Sequence, residues 1–176
     1  MNPVAYLEGQ NIKLGPSFNK WRIENNYKTL RAFMDDEKRY RVVPGADFKC
    51  GWTDINGKAQ PIPKNGGMQV SGYTHHGPCE VWLDDKMVAQ GDNCHNDFPA
   101  KKHCIDYSSC KGTCVLHWYW LAERFVKNKY SWQGYKACVP LTTGGQPVAP
   151  PKCNCQREDT NETVDVDFDS GVCLRT

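Results

Sequence analysis

Tyr130-Ser131-Trp132-Gln133-Gly134-Tyr135-Lys136-Ala137-Cys138-Val139-Pro140-Leu141 is the stretch on which the fold turns. Its aromatic and β-branched content is that of a strand. In extended backbone alternate side chains share a face, so Gln133 and Tyr135 look the same way and Cys138 is placed to tie the strand down. Working outward, strand-like runs recur at 67–73, 80–83, 87–90 and 115–120. Turn signals separate them: Asn56-Gly57, Asn65-Gly66-Gly67, Gly77-Pro78 and Gly91-Asp92-Asn93. Short strands at this spacing predict a mainly β domain. Its expected form is an antiparallel β-sandwich of the immunoglobulin or fibronectin type III kind, with long loops and short helices.

Residues 1–49 are polar and irregular, and 20–24 and 27–33 fit a short helix or an extended segment equally well. The β domain is expected to span 1–141. Thr142-Thr143-Gly144-Gly145-Gln146-Pro147-Val148-Ala149-Pro150-Pro151 reads as a Pro/Gly linker over 142–151. The remaining 152–176 form an acidic tail with six acids against three bases, three cysteines and a glycosylation sequon at Asn161.

A chain of 176 residues buries enough surface to fold without staples, yet it carries ten cysteines. That count predicts a disulfide-rich protein of an oxidising compartment, secreted and extracellular. Neither Cys110 with Cys114 nor Cys153 with Cys155 has the paired C-x2-C spacing of a zinc site, so disulfides are the better reading. No run approaches the ~18 apolar residues of a membrane span. A net charge of +2 is too mild for a dedicated nucleic-acid binder. The expected chain is a monomer with neither membrane nor nucleic acid among its partners.

Of the five histidines, His75 and His76 are adjacent in Tyr73-Thr74-His75-His76-Gly77-Pro78-Cys79. In extended backbone their side chains point to opposite sides, so one of them at most faces a given site. His95, His103 and His117 have no ligand-like companions nearby in sequence. Around Cys110, Ser108-Ser109-Cys110-Lys111-Gly112 lacks the Gly-x-Ser-x-Gly of a nucleophile elbow. Asp35-Asp36-Glu37 and Asp84-Asp85 read as solvated turns rather than a two-carboxylate site.

Four ordered blocks over about residues 48–141 are more specific together than apart. They are His75-His76-Gly77-Pro78-Cys79-Glu80-Val81-Trp82-Leu83, Asp106-Tyr107-Ser108-Ser109-Cys110-Lys111-Gly112-Thr113-Cys114, Trp118-Tyr119-Trp120-Leu121, and the Trp132–Leu141 stretch quoted above. This set resembles the lytic polysaccharide monooxygenases, most of all the oomycete family whose studied members act on pectin. The resemblance implies a secreted, copper-dependent enzyme that cleaves plant cell-wall polysaccharide oxidatively, with pectin favoured and cellulose or chitin as further substrates. It also implies one copper ion and an external electron donor. Residue by residue, His75 resembles the inner copper ligand of the His-x-Gly-Pro motif, with His76 at its variable position. Tyr135 resembles the axial residue at the metal, and Gln133 the neighbour that orients a bound oxygen species.

Those residue types suit the metal, since imidazole serves copper in both oxidation states and Cu(II) favours a tetragonal nitrogen field. In that enzyme group the other two nitrogens come from an N-terminal histidine, the histidine brace. This sequence opens Met1-Asn2-Pro3, without the basic and apolar regions of a signal peptide. Family members commonly open His-Gly-x-x-x-x-Pro, so on one reading Met1-Asn2-Pro3 is the end of that motif with its first four residues absent. The alternative is a brace-less relative, a secreted polysaccharide-binding or effector-like module. Trp21, Trp52, Trp82, Trp118, Trp120 and Trp132 are then its candidate stacking surfaces.

Overall fold

The protein's structure, a computed structural model, describes residues 2–148 apart from 11, 13 and 14, and four two-residue strands of the tail. Those four, Cys155–Gln156 with Thr163–Val164 and Val166–Asp167 with Val172–Cys173, pair antiparallel. Met1, Asn161, Cys153 and the end of the proposed linker at 149–151 lie outside the described residues.

The centre of the fold is a hairpin of two long strands, β7 (Thr113–Val126) and β8 (Lys129–Thr142). The strand read from the Tyr130–Leu141 stretch and the one at 115–120 are its two arms, both longer than their sequence patterns indicated. Lys127 and Asn128 join them, each with positive φ, which matches the right-handed twist of a two-residue turn. Beyond β7 lie β4 (Cys79–Leu83) and β5 (Lys86–Gly91), close to the expected strands at 80–83 and 87–90. On the other side of β8 run β1 (Asn2–Pro3), antiparallel, and β2 (Gln60–Pro61), parallel. The six-stranded sheet, in the order β1-β8-β7-β4-β5 with β2 also on β8, is therefore mixed.

Alternation along the hairpin separates two faces. Cys114, Leu116, Trp118 and Trp120 of β7 share one face with their register partners Leu141, Val139, Ala137 and Tyr135 of β8. Packed over this face are β3 (Gly67–Gln69) and β6 (Lys102–Cys104), a small antiparallel sheet. Of the strand expected at 67–73 only its first part pairs.

The opposite face bears Tyr119, Leu121 and Trp132, and it is covered by what the sequence left irregular. Helices α1 (Ala5–Glu8), α2 (Gly15–Glu24) and α3 (Leu30–Met34) bring Leu7, Phe18, Leu30, Phe33 and Met34 into one buried cluster with those sheet residues. A fourth short helix, α4 (Cys94–Asp97), follows β5.

Three disulfides join described residues: Cys50–Cys138, Cys79–Cys94 and Cys110–Cys114. Cys104 is also disulfide-bonded. As expected, Cys138 anchors β8. No helix among the described residues is long and apolar enough to cross a membrane.

Candidate functional site

The residues singled out from sequence meet at one end of the hairpin. Tyr135 and Gln133 lie on the same face of β8, and the Tyr135 hydroxyl donates to Gln133 Oε1 at 3.2 Å. Directly across the ladder from Tyr135 is Trp120 of β7, and the two rings stack with centroids 4.7 Å apart. The His75 ring lies 6.3 Å from the same indole and nearly parallel to it. Trp120 is thus the common neighbour of the two side chains expected to face a metal.

His75 is delivered by backbone contacts rather than by a regular strand. The Leu121 amide donates to the Pro78 carbonyl at 3.0 Å and the Glu123 amide to the His76 carbonyl at 2.8 Å, which prolongs β4 along β7. Between those two bonds sits Gly77 at φ +132°, where a Cβ would stand 2.0 Å from the Leu121 carbonyl oxygen. Only glycine permits so close a backbone approach. The glycine of the His-x-Gly-Pro motif therefore fixes where His75 emerges.

Below the site, the Trp118 indole N–H donates to Tyr73 Oη at 2.8 Å. Tyr73 Oη in turn lies 2.6 Å from His103 Nε2, which leaves it to donate there. Burial pushes the His103 imidazole down to about 4, so it is a neutral core residue. His117, on the helix-covered face, is half-buried beside Tyr119.

The electrostatics keep the site's own groups uncharged. Desolvation lowers the proton affinity of His75, and the nearby Arg124, His95 and His76 lower it further. Desolvation raises the Tyr135 phenol, opposed by Arg124. A neutral imidazole and a neutral phenol are the forms that suit a metal ligand and its axial companion. Arg124 stands on the same face of β7 as Trp120, opposite Ser131. Arg124 was not singled out from sequence, and Trp120 entered only as one of six candidate stacking surfaces. The signal that points to them is the register of the hairpin, once its turn is placed at Lys127-Asn128.

The N-terminal strand ends at the same place. Asn2 pairs with Gly134 and Pro3 with Gln133, antiparallel, and the Val4 amide donates to the Trp132 carbonyl at 2.8 Å. β1 therefore runs beside the Gln133 and Tyr135 pair.

The copper that the resemblance implies would find one imidazole, His75, and one phenol, Tyr135, among the described residues, both shifted toward their neutral forms. No group of three His, Cys, Asp or Glu is arranged around a metal among them. An imidazole and a phenol suit the two positions that the resemblance assigns to them, and residues 1–74 hold no histidine. Of the six tryptophans, Trp120 and Trp132 are buried and Trp52 is 67% exposed. No protein-family model matches the chain, and no curated protein matches it.

Proposed function

We propose that this is a secreted copper-dependent polysaccharide monooxygenase, with pectin as the favoured substrate, built on a β-sandwich of the immunoglobulin or fibronectin type. The observation that carries the reading is the placing of His75 and Tyr135 against one indole, Trp120, with Gln133 hydrogen-bonded to Tyr135. Disulfides and the two packed sheets are compatible with an extracellular enzyme of that kind. In this reading His75 and Tyr135 would hold the copper, and a full brace would further need an N-terminal histidine, where this sequence has Met1.

When bound, copper reduced by an external donor supplies the activation of O2 or H2O2 needed to attack a sugar C–H bond. The chain's own residues position and tune. Trp120 backs His75 and Tyr135 with a rigid indole and limits access of water. Gln133 is a neutral amide whose Oε1 accepts from Tyr135, leaving its N–H donors to orient an oxygen species. Arg124 supplies a positive charge at the rim, complementary to the carboxylates of a pectic chain.

The test uses the full chain carrying an N-terminal histidine, loaded with Cu(II) and supplied with a reductant over pectin, cellulose and chitin. Oxidised oligosaccharides are expected from pectin, and His75→Ala should abolish them together with the type 2 EPR signal. Absence of oxidised products from all three polymers would overturn the enzyme reading. Binding to insoluble polysaccharide that survives chelation, without turnover, would establish the non-catalytic module in its place.

A further inference from the structure

We propose that His76 and His95 form a metal site of their own, a two-imidazole seat for a borderline divalent ion such as Zn2+. It is separate from the copper reading and does not rest on it, since His75, Gln133 and Tyr135 take no part. Both side chains are exposed, on segments far apart in sequence, yet their ring centroids are 4.7 Å apart with an interplanar angle of 70°. Two imidazoles held cis by one ion, at metal–nitrogen distances of about 2.0 Å, place their centroids roughly 4.5–5.2 Å apart. The rings are already at ligating separation.

Each ring also has its Nδ1 engaged. His95 Nδ1–H donates to the Tyr73 carbonyl at 2.6 Å. His76 Nδ1 lies 3.0 Å from Asn93 Nδ2 and 3.3 Å from Oδ1 of the same amide. An imidazole whose Nδ1–H donates to an oxygen presents an unprotonated Nε2 to a metal, which for His76 is the tautomer that donates to Asn93 Oδ1. In those tautomers both rings have a free Nε2, and both are anchored through Nδ1.

The backbone beneath is clamped. Cys79–Cys94 joins the two segments covalently, three residues after His76 and one before His95. The Cys94 amide donates to the Gly77 carbonyl at 3.0 Å, and the Gly77 amide to Asn93 Oδ1 at 3.3 Å. Preorganisation of this kind removes much of the ordering cost of binding. His75 turns its ring to Trp120 instead. Two protein ligands leave the other positions of a tetrahedral ion to water or to an incoming donor, so micromolar affinity is expected.

Calorimetric titration of the full chain with zinc chloride alone, at near-neutral pH, tests the site. One binding event is expected, weakened more than about tenfold in His76→Ala and in His95→Ala. Asn93→Ala should weaken it about tenfold, and His117→Ala, on the helix-covered face of the sheet, should leave it unchanged. Should a variant fail to fold, ring-nitrogen NMR of the wild-type protein decides: zinc should shift Nε2 of His76 and His95 among the five histidines. No binding at millimolar zinc, binding lost in His75→Ala alone, or shifts confined to other histidines would overturn the proposal.

Discussion

Glu123 is a single residue placed against the ordinary rules of burial. It is 5% exposed, and neither carboxylate oxygen has a hydrogen-bond partner among the described residues. Across the ladder stands Trp132, whose buried indole N–H also lacks one. Burial alone pushes the Glu123 carboxyl up from 4.5 to about 7, because desolvation disfavours the charged form. The folded chain then holds this proton more tightly than the unfolded chain. The stabilising contribution is complete below pH 4.5 and is lost as pH rises through about 7. Urea unfolding across that window should show wild-type stability falling with pH, and Glu123→Gln should flatten the fall. Above neutrality the variant is expected to be the more stable protein by about 1–2 kcal/mol, the scale of an unpaired buried polar group. Parallel pH profiles for the two proteins would show that Glu123 ionises without penalty.

Among the elements, α3 depends most visibly on a distant residue. Five residues cannot hold a helix in isolation. Thr29 caps it through Oγ1, which accepts from the Ala32 amide at 3.0 Å. The larger contribution comes from Glu80 of β4, whose carboxylate accepts from the Leu30 and Arg31 amides at 2.7 and 2.9 Å and from the Trp82 indole at 2.9 Å. A buried carboxylate at a helix N-terminus satisfies otherwise orphaned donors and favours the helix dipole. Glu80→Ala should therefore cost about 2–4 kcal/mol, with the Leu30 and Arg31 amides losing hydrogen-exchange protection first. Glu80→Gln, which keeps one acceptor, should lose less. A loss under ~1 kcal/mol in Glu80→Ala would show that Thr29 alone suffices. This contact also explains what the sequence concealed. The strands β4, β5, β7 and β8 were legible because alternation is local. The helices over 5–34 were not, because their ends are satisfied and their apolar residues buried by strands fifty and more positions away.

The whole molecule is held by links of very different span, and here too the sequence spoke only in part. Ten cysteines predicted a cross-linked chain, but pairing is a property of the folded topology. The candidate site was legible through His75, Gln133 and Tyr135. Arg124, and the place of Trp120 behind His75 and Tyr135, stayed hidden because both depend on a turn in which Lys127 and Asn128 adopt positive φ without a glycine to mark it. The disulfides convert that topology into an ordering of stabilities. Cys50–Cys138 closes a separation of 88 residues and Cys110–Cys114 one of 4. Constraint of the unfolded chain grows with the logarithm of loop length, so the long link contributes about 4–5 kcal/mol and the short one about 2. The long link also fixes β8 to the segment before it, where the Cys138 amide donates to Thr53 Oγ1 at 2.6 Å. Urea unfolding of Cys50→Ala/Cys138→Ala and of Cys110→Ala/Cys114→Ala, with the other disulfides oxidised, should show the first pair losing about twice as much stability. Equal losses would mean that native strain or residual unfolded structure, rather than loop closure, sets the worth of these links.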